Sequence, residues 1–296
     1  MRRLIVGYLA TPSGEDGLAL GVRLARTLDA QLDICMVLTP DRLVPGLVPN
    51  DGYDDMLTVQ ARQWLADAVA SVPDDVKAEG HISFHESFAA GLIDEVARLD
   101  ALAIVVGAAG DGLLGRHAIG SVASELLHSA PVPLALAPRG TRNSPVATVR
   151  EVTCAIGDRV GADLLFDLAV RASAAAGTPL RLVSLVALDA HAPRRSDDTP
   201  ESVRDRAVAH AELTLVEAKA ALPEGFPVTS MTVDGPSVEA AVNRLDWHDG
   251  DLIMVGSSRL AQPRKLFLGS TAAKMLRVLQ VPMVVVPKEE IDEPRQ

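Results

Sequence analysis

Ala101-Leu102-Ala103-Ile104-Val105-Val106-Gly107 and Asp251-Leu252-Ile253-Met254-Val255-Gly256 are two apolar runs that each end in glycine. Each is followed downstream by a glycine–serine pair, Gly120-Ser121 and Gly269-Ser270. Each copy then closes on a second apolar run flanked by prolines, residues 131–138 and 281–287. The spacing between copies is constant: Gly107 to Gly256 and Gly120 to Gly269 are both 149 residues apart. A constellation repeated at a fixed offset means two copies of one domain. Near-continuous apolar character, not alternation, is what a strand covered on both faces requires, and parallel sheets flanked by helices are built from such strands.

Working outward, each half repeats one order of elements. Apolar runs at 4–10 and 152–156 predict first strands, each followed by a Gly/Asp-rich turn. Helical periodicity follows at 15–28, with Leu18, Val22, Ala25 and Leu28, and at 162–175. Second strands are expected at 32–38 and 180–186, long helices at 56–72 and 202–221, and third strands at 81–84 and 228–233. Third helices are expected at 90–99 and 238–245. Strands alternating with helices predict α/β architecture: two tandem Rossmann-like domains, each with a mostly parallel five-stranded sheet covered by helices. The divisions read as domain 1 at 1–138, a linker at 139–149 rich in turn formers (Gly140, Asn143, Ser144, Pro145), domain 2 at 150–288, and a polar tail at 289–296. Residues 40–55 and 189–201 read as loops, with Tyr53 as a candidate to cover a ligand.

Composition narrows the function. The 296 residues are 48% hydrophobic, ample for a core. A formal net charge of −11 opposes a nucleic-acid partner. No stretch of about 18 uncharged apolar residues predicts a membrane span. The apolar start is too short for a signal peptide, so the expected location is the cytoplasm. Cys35 and Cys154 sit in apolar runs without a CxxC motif, which predicts inert core thiols.

The stretch from Gly107 through Gly110 to Gly120-Ser121 carries the chemistry. Glycines permit close approach of backbone to ligand. Successive N–H groups form anion-binding concavities, and a helix start adds unpaired donors and a favourable dipole. No GK[ST] follows, and no GxGxxG follows the first strand, so neither a Walker loop nor a dinucleotide fingerprint is present. On the residues alone, a phosphate site and a structural turn both stay open.

The pattern Gly107-x-x-Gly110, nine residues, Gly120-Ser121, together with the closing run 124–134, resembles the ATP-binding signature of the universal stress protein family. The repeated architecture extends that resemblance over nearly the whole chain. It implies that Gly107, Gly110, Gly120 and Ser121 contact phosphate and ribose. ATP-binding relatives carry an aspartate just after the first strand; here Leu9 stands there, followed by Ala10. Leucine accepts no hydrogen bond, so adenine would rest on backbone groups and on Val37 or Leu38. The second half has Gly256-Ser257-Ser258-Arg259, nine residues, then Gly269-Ser270. Arg259 replaces the second glycine and either pairs with phosphate or fills the turn. Gly157 takes the aspartate position, with Asp158 next to it.

Other candidates are weaker. His117 is either near phosphate or in solvent. His81 and His85 share a face if the strand continues, but lack a further ligand, so no metal site is expected. Asp94 is expected to pair with Arg98 on a solvated helix face. Trp247 is expected to pack rather than stack on a ligand. No Ser–His–Asp or Cys–His arrangement can be asserted, and no catalytic residue is assigned. The resemblance implies a stress-response regulator that binds ATP or a related adenine nucleotide, with Mg²⁺ held mainly by phosphate and water. A scaffold that binds no nucleotide and a weak ATPase stay open. The resemblance also implies an internal pseudo-dimer, with the last strands of the halves antiparallel, and a possible homodimer of whole chains.

Overall fold

Leu4 and Val6 point to one face of the first strand and Ile5 to the other, as the two-residue period requires, and all three are fully buried. Every central strand repeats this division, so the fold is a sheet between two helical layers. The structure, a computed structural model, describes residues 1–39, 51–108, 120–157, 162–187, 199–258 and 265–288. The first half runs β1 (Arg2–Gly7), α1 (Pro12–Leu28), β2 (Ala30–Leu38), α2 (Asp51–Ser71), β3 (Ala78–Phe84), α3 (Phe88–Leu99), β4 (Ala103–Gly107), α4 (Ser121–Ser129) and β5 (Leu134–Ala137). The second runs β6 (Glu151–Ala155), α5 (Ala162–Ala176), β7 (Leu180–Ala187), α6 (Pro200–Ala220), β8 (Val228–Gly235), α7 (Val238–Val242), β9 (Asp251–Gly256), α8 (Ser270–Val278) and β10 (Met283–Val286).

The strands form one ten-stranded sheet in the order β3-β2-β1-β4-β5-β10-β9-β6-β7-β8. Every pairing is parallel except the central one. There β5 and β10 run antiparallel, with Leu136 opposite Met283 and Leu134 opposite Val285. This is the antiparallel junction that the family resemblance implied. Both hydrophobic layers cross it. Ala135, Ala137 and Val286 belong to the layer under α1, α2, α5 and α6. Leu134, Leu136, Met283 and Val285 belong to the layer under α3, α4, α7 and α8.

Local chemistry sets the helix ends. Thr11 caps α1 by accepting from the Gly14 N–H, and Ser87 caps α3 by accepting from the Ala90 N–H. Asp29 and Asp100 terminate α1 and α3 in the left-handed conformation. Several expected bounds move. β1 stops at Gly7, not at Ala10, because the Tyr8 N–H still reaches Cys35 but the chain then turns, with the Thr11 N–H donating to the Leu9 carbonyl. α2 starts at Asp51, so Tyr53 lies in a helix and not a loop. α7 ends at Val242, three residues early.

The connection between halves contains a short 3₁₀ turn, Thr141–Asn143, and is strapped along α1. Asp16, 1% exposed, accepts from the Gly140 N–H at 3.1 Å, from the Arg142 N–H at 2.9 Å and from Arg142 Nη1 at 2.9 Å. Arg23 donates to the Val146 carbonyl and the Ser144 hydroxyl and lies 3.7 Å from Asp249. Burial lowers its pKa, and Asp249 opposes that shift. Thr27 accepts the Val149 N–H at 3.0 Å. Cys35 and Cys154 are buried free thiols. Burial raises both, Cys154 to about 12, so neither is a ready nucleophile.

Candidate functional site

In the first half the strand order reverses between β1 and β4. The chain leaves β1 for α1 on one face and leaves β4 for α4 on the other. Such a switch point opens a crevice at the carboxyl edge of an α/β sheet.

One wall is the start of α1. A Cβ on Gly107 would overlap the Ser13 carbonyl, and a Cβ on Gly17 would lie 2.8 Å from the Gly107 nitrogen. Backbone therefore lies directly on backbone, and Gly107 has a packing role whatever else it contacts. A Cβ on Gly14 would likewise overlap the Leu9 carbonyl. Leu9 is 42% exposed at this edge, and Ala10 beside it is exposed. Val37 is in the core beneath α3, where a Cβ on Gly91 would lie 2.6 Å from it. Tyr8 is buried beside them on the α1 face; burial raises its hydroxyl pKa, and Glu15 and Asp67 add to the shift. Gly110 and His117 lie outside the described residues.

The other wall is α4. Its N-cap is Gly120, with φ −70° and ψ 165° and no side-chain cap. The first helical bond runs from the Ser124 N–H to the Gly120 carbonyl, at 2.9 Å. The N–H groups of 121–123 thus have no acceptor within the helix. Ser121 is exposed at the first helical position, and a Cβ on Gly120 would have no heavy atom of the described residues within 4 Å. Helices α1, α3, α6 and α7 start on Thr11, Ser87, Thr199 and Ser237, each closing its helix end through its hydroxyl. By contrast α4 and α8 start on the repeated Gly-Ser pair with no side-chain cap. An open helix start of this kind offers donors and partial positive charge to an anion.

The second half differs at the same place. Gly256 has only an ordinary contact, with a Cβ there 3.7 Å from Leu165. Here Ser257 and Ser258 are tied to Phe267. Ser258 donates its N–H to the Phe267 carbonyl at 2.8 Å, and Ser257 accepts the Phe267 N–H through Oγ at 2.8 Å. Gly269 lies close by, with a Cβ there 3.3 Å from that of Ser258; Ser270 is exposed. The following segment also reaches the first half. Leu266 and Leu268 donate N–H groups to the Ala130 and Leu127 carbonyls, and Phe267 meets His128 edge to face at 5.0 Å. Sequence reading missed these contacts. Their one signal is serine at 257 and 258 where the first copy has Ala108 and Ala109. Arg259 and Asp158 lie outside the described residues, and among the described residues nothing lies within 4 Å of a Cβ at Gly157.

One further expectation is corrected. Arg98 pairs with Glu95, not Asp94, because Glu95 is buried and faces the same polar cluster. Asp94 instead lies 3.8 Å from His85. His81 and His85 do not work as a pair. β3 ends at Phe84, and His85 accepts the Ser87 N–H at the turn into α3. Trp247 does pack: its Nε1–H donates to the Val242 carbonyl, and the Arg181 guanidinium lies 4.8 Å from its ring centroid. Surface clefts of about 610 and 770 Å³ lie on the outer side of α1, away from both Gly-Ser helix starts. Arginines in them are paired, Arg26 with Asp75 at 2.6 Å and Arg142 with Glu15 at 3.3 Å. Among the described residues, no helix is long and apolar enough to cross a membrane.

Comparison with known proteins agrees with this geometry. The model of the Usp, universal stress protein, family matches residues 1–138 and again 148–287. Universal stress protein Rv2319c of Mycobacterium tuberculosis is 28% identical over 300 residues, covering 96% of this chain and 99% of that protein. A counterpart of the same identity and coverage occurs in Mycobacterium bovis. A universal stress protein structure from Archaeoglobus fulgidus superposes with a TM-score of 0.71 at 17% identity, covering 97% of this chain and 98% of that one. A putative universal stress protein from Pseudomonas aeruginosa gives 0.58 at 16% identity, covering 97% and 93%. With one family model matching each half, and the two halves joined edge to edge in one sheet, the chain belongs to the universal stress protein family as a tandem-domain member.

Proposed function

We propose that the first half binds ATP or a related adenine nucleotide in the crevice between α1 and α4, and that the chain acts as a stress-response regulator read through nucleotide occupancy. The observation that carries this reading is the open start of α4. Among the described residues nothing lies within 4 Å of a Cβ at Gly120 and no side chain caps the helix, and Ser121 adds a hydroxyl. Phosphate oxygens suit those donors, and bound Mg²⁺ would be held mainly by phosphate and water. Leu9 offers adenine an apolar surface and backbone groups in place of a carboxylate.

A second reading applies to the second half: a scaffold that takes no nucleotide. The inward bonds of Ser257 and Ser258 to Phe267 favour it, because donors already satisfied inside the loop are lost to phosphate. Occupancy of one nucleotide per chain follows from the two readings together.

Gly120→Asp tests the site. Among the described residues nothing lies within 4 Å of a Cβ at Gly120, and φ is ordinary for any residue, so the fold is expected to be kept. A carboxylate there caps the helix itself and repels phosphate. Calorimetry with ATP–Mg²⁺ is expected to give at least about a tenfold weaker Kd, equivalent to about 1.4 kcal/mol. Equal affinity in a folded variant contradicts the assignment.

A further inference from the structure

We propose that Asp33, Glu79 and His81 form a divalent-metal site of the nitrogen–oxygen donor type, for which zinc is the probe, on the α3 side of the sheet. The site lies toward the amino ends of β2 and β3, the opposite end from the glycine loops.

Strand geometry brings the ligands together. Glu79 and His81 are two apart on β3 and share a face. The parallel register sets Asp33 opposite Glu79 and Cys35 opposite His81. One ligand atom from each of Asp33, Glu79 and His81 lies within 4.8 Å of the others. Among the described residues this is the one such cluster.

The second observation is the state of Asp33. Its side chain is 0% exposed. Oδ1 accepts from Arg3 Nη1 at 3.3 Å and Gln31 Nε2 at 3.3 Å, and lies 2.9 Å from His81 Nε2. Oδ2 is buried and has no hydrogen-bond partner among the described residues. A buried carboxylate oxygen left unpaired is costly, and a cation satisfies it. Arg3, which also lies 3.8 Å from Glu79, and Gln31, which also donates to Glu79 Oε2 at 3.3 Å, brace both carboxylates from outside, the usual support of ligating carboxylates. His81 Nδ1 lies 3.1 Å from Arg98 Nη2, so it is the acceptor nitrogen and Nε2 carries the proton. Binding at Nε2 releases that proton to solvent while Nδ1 takes one up, so the ring stays neutral. Arg98 then turns to Glu95, which it already holds through Nε at 3.0 Å. Two carboxylates and a neutral imidazole balance a charge of +2 and suit zinc better than calcium.

The second half supports the polarity of this place. By strand register, Arg181, Thr229 and Met231 stand where Asp33, Glu79 and His81 do in the first. There the charges are exchanged: Arg181 is buried, bonded to Thr153 at 2.9 Å and paired with Glu151 at 3.0 Å, whereas in the first half Arg3 lies 3.3 Å from Asp33 and 3.8 Å from Glu79. One metal per chain is therefore expected.

The experiment is titration of chelator-treated, full-length protein with Zn²⁺ against a chromophoric chelator, repeated with Co²⁺ by visible absorption. Wild type is expected to take one ion per chain. Asp33→Asn and His81→Gln are each expected to weaken binding at least tenfold and to lose the Co²⁺ bands, while His248→Gln, at an exposed histidine elsewhere, keeps them. If Asp33→Asn does not fold, the partly exposed His81→Gln decides alone. No stoichiometric binding by wild type, or affinity unchanged in folded His81→Gln, overturns the site.

Discussion

Gly107→Ala is expected to destabilise the protein by about 3 kcal/mol, at the upper end of what overpacking a filled interior costs. The new methyl would overlap the Ser13 carbonyl, and the atom it meets is backbone, not the movable tip of a side chain. Relief requires the whole start of α1 to lift. That start is tied to Thr11, whose hydroxyl holds the Gly14 N–H, and to Gly17, which has no room against Gly107 either. Urea unfolding checks this as a lowered midpoint with an unchanged slope. A midpoint equal to wild type means that α1 is not seated on β4 as described. Because Gly107 carries the fold, weaker nucleotide binding in this variant says little about phosphate contact; Gly120, where nothing among the described residues lies within 4 Å of a Cβ, separates the two.

Asp16→Ala is expected to cost on the order of 3 kcal/mol, the range for breaking a buried ionic pair by removing one partner. The change leaves the Gly140 and Arg142 N–H groups and the Arg142 guanidinium without their buried acceptor. Its effect is concentrated in the strap between halves. Limited proteolysis within residues 139–147 is therefore expected to speed up before the cores are lost. Asp16→Asn keeps one carbonyl oxygen and should fall between. Cleavage and stability equal to wild type would contradict the clamp.

Gly107 stands out in the sequence, but its packing role and that of Asp16 do not, and the reason is physical. The fold was legible where apolar character is continuous. β9 begins and ends where its apolar run does, because burial on both faces leaves no ambiguity. Helix α2 was misjudged at its start because Asp51, Gly52, Asp54 and Asp55 carry no apolar period. Asp16 is an acidic residue on a helix, and such residues ordinarily face water; it is buried here because Gly140 and Arg142, more than 120 residues away, meet it, and sequence spacing does not report such partners. The first Gly-Ser pair was legible as a helix start, but not that it would be uncapped. The tie of the second loop to Phe267, ten residues from Ser257, is hinted at by two serines only.

The most direct measurement is native mass spectrometry of the freshly purified, full-length protein, followed by titration with ATP–Mg²⁺, on wild type and Gly120→Asp in parallel. The expected result is one adenine nucleotide per wild-type chain, retained or saturable, and loss of that occupancy in the folded variant. No specific occupancy at millimolar ATP, or the same occupancy in both proteins, contradicts nucleotide binding at the start of α4.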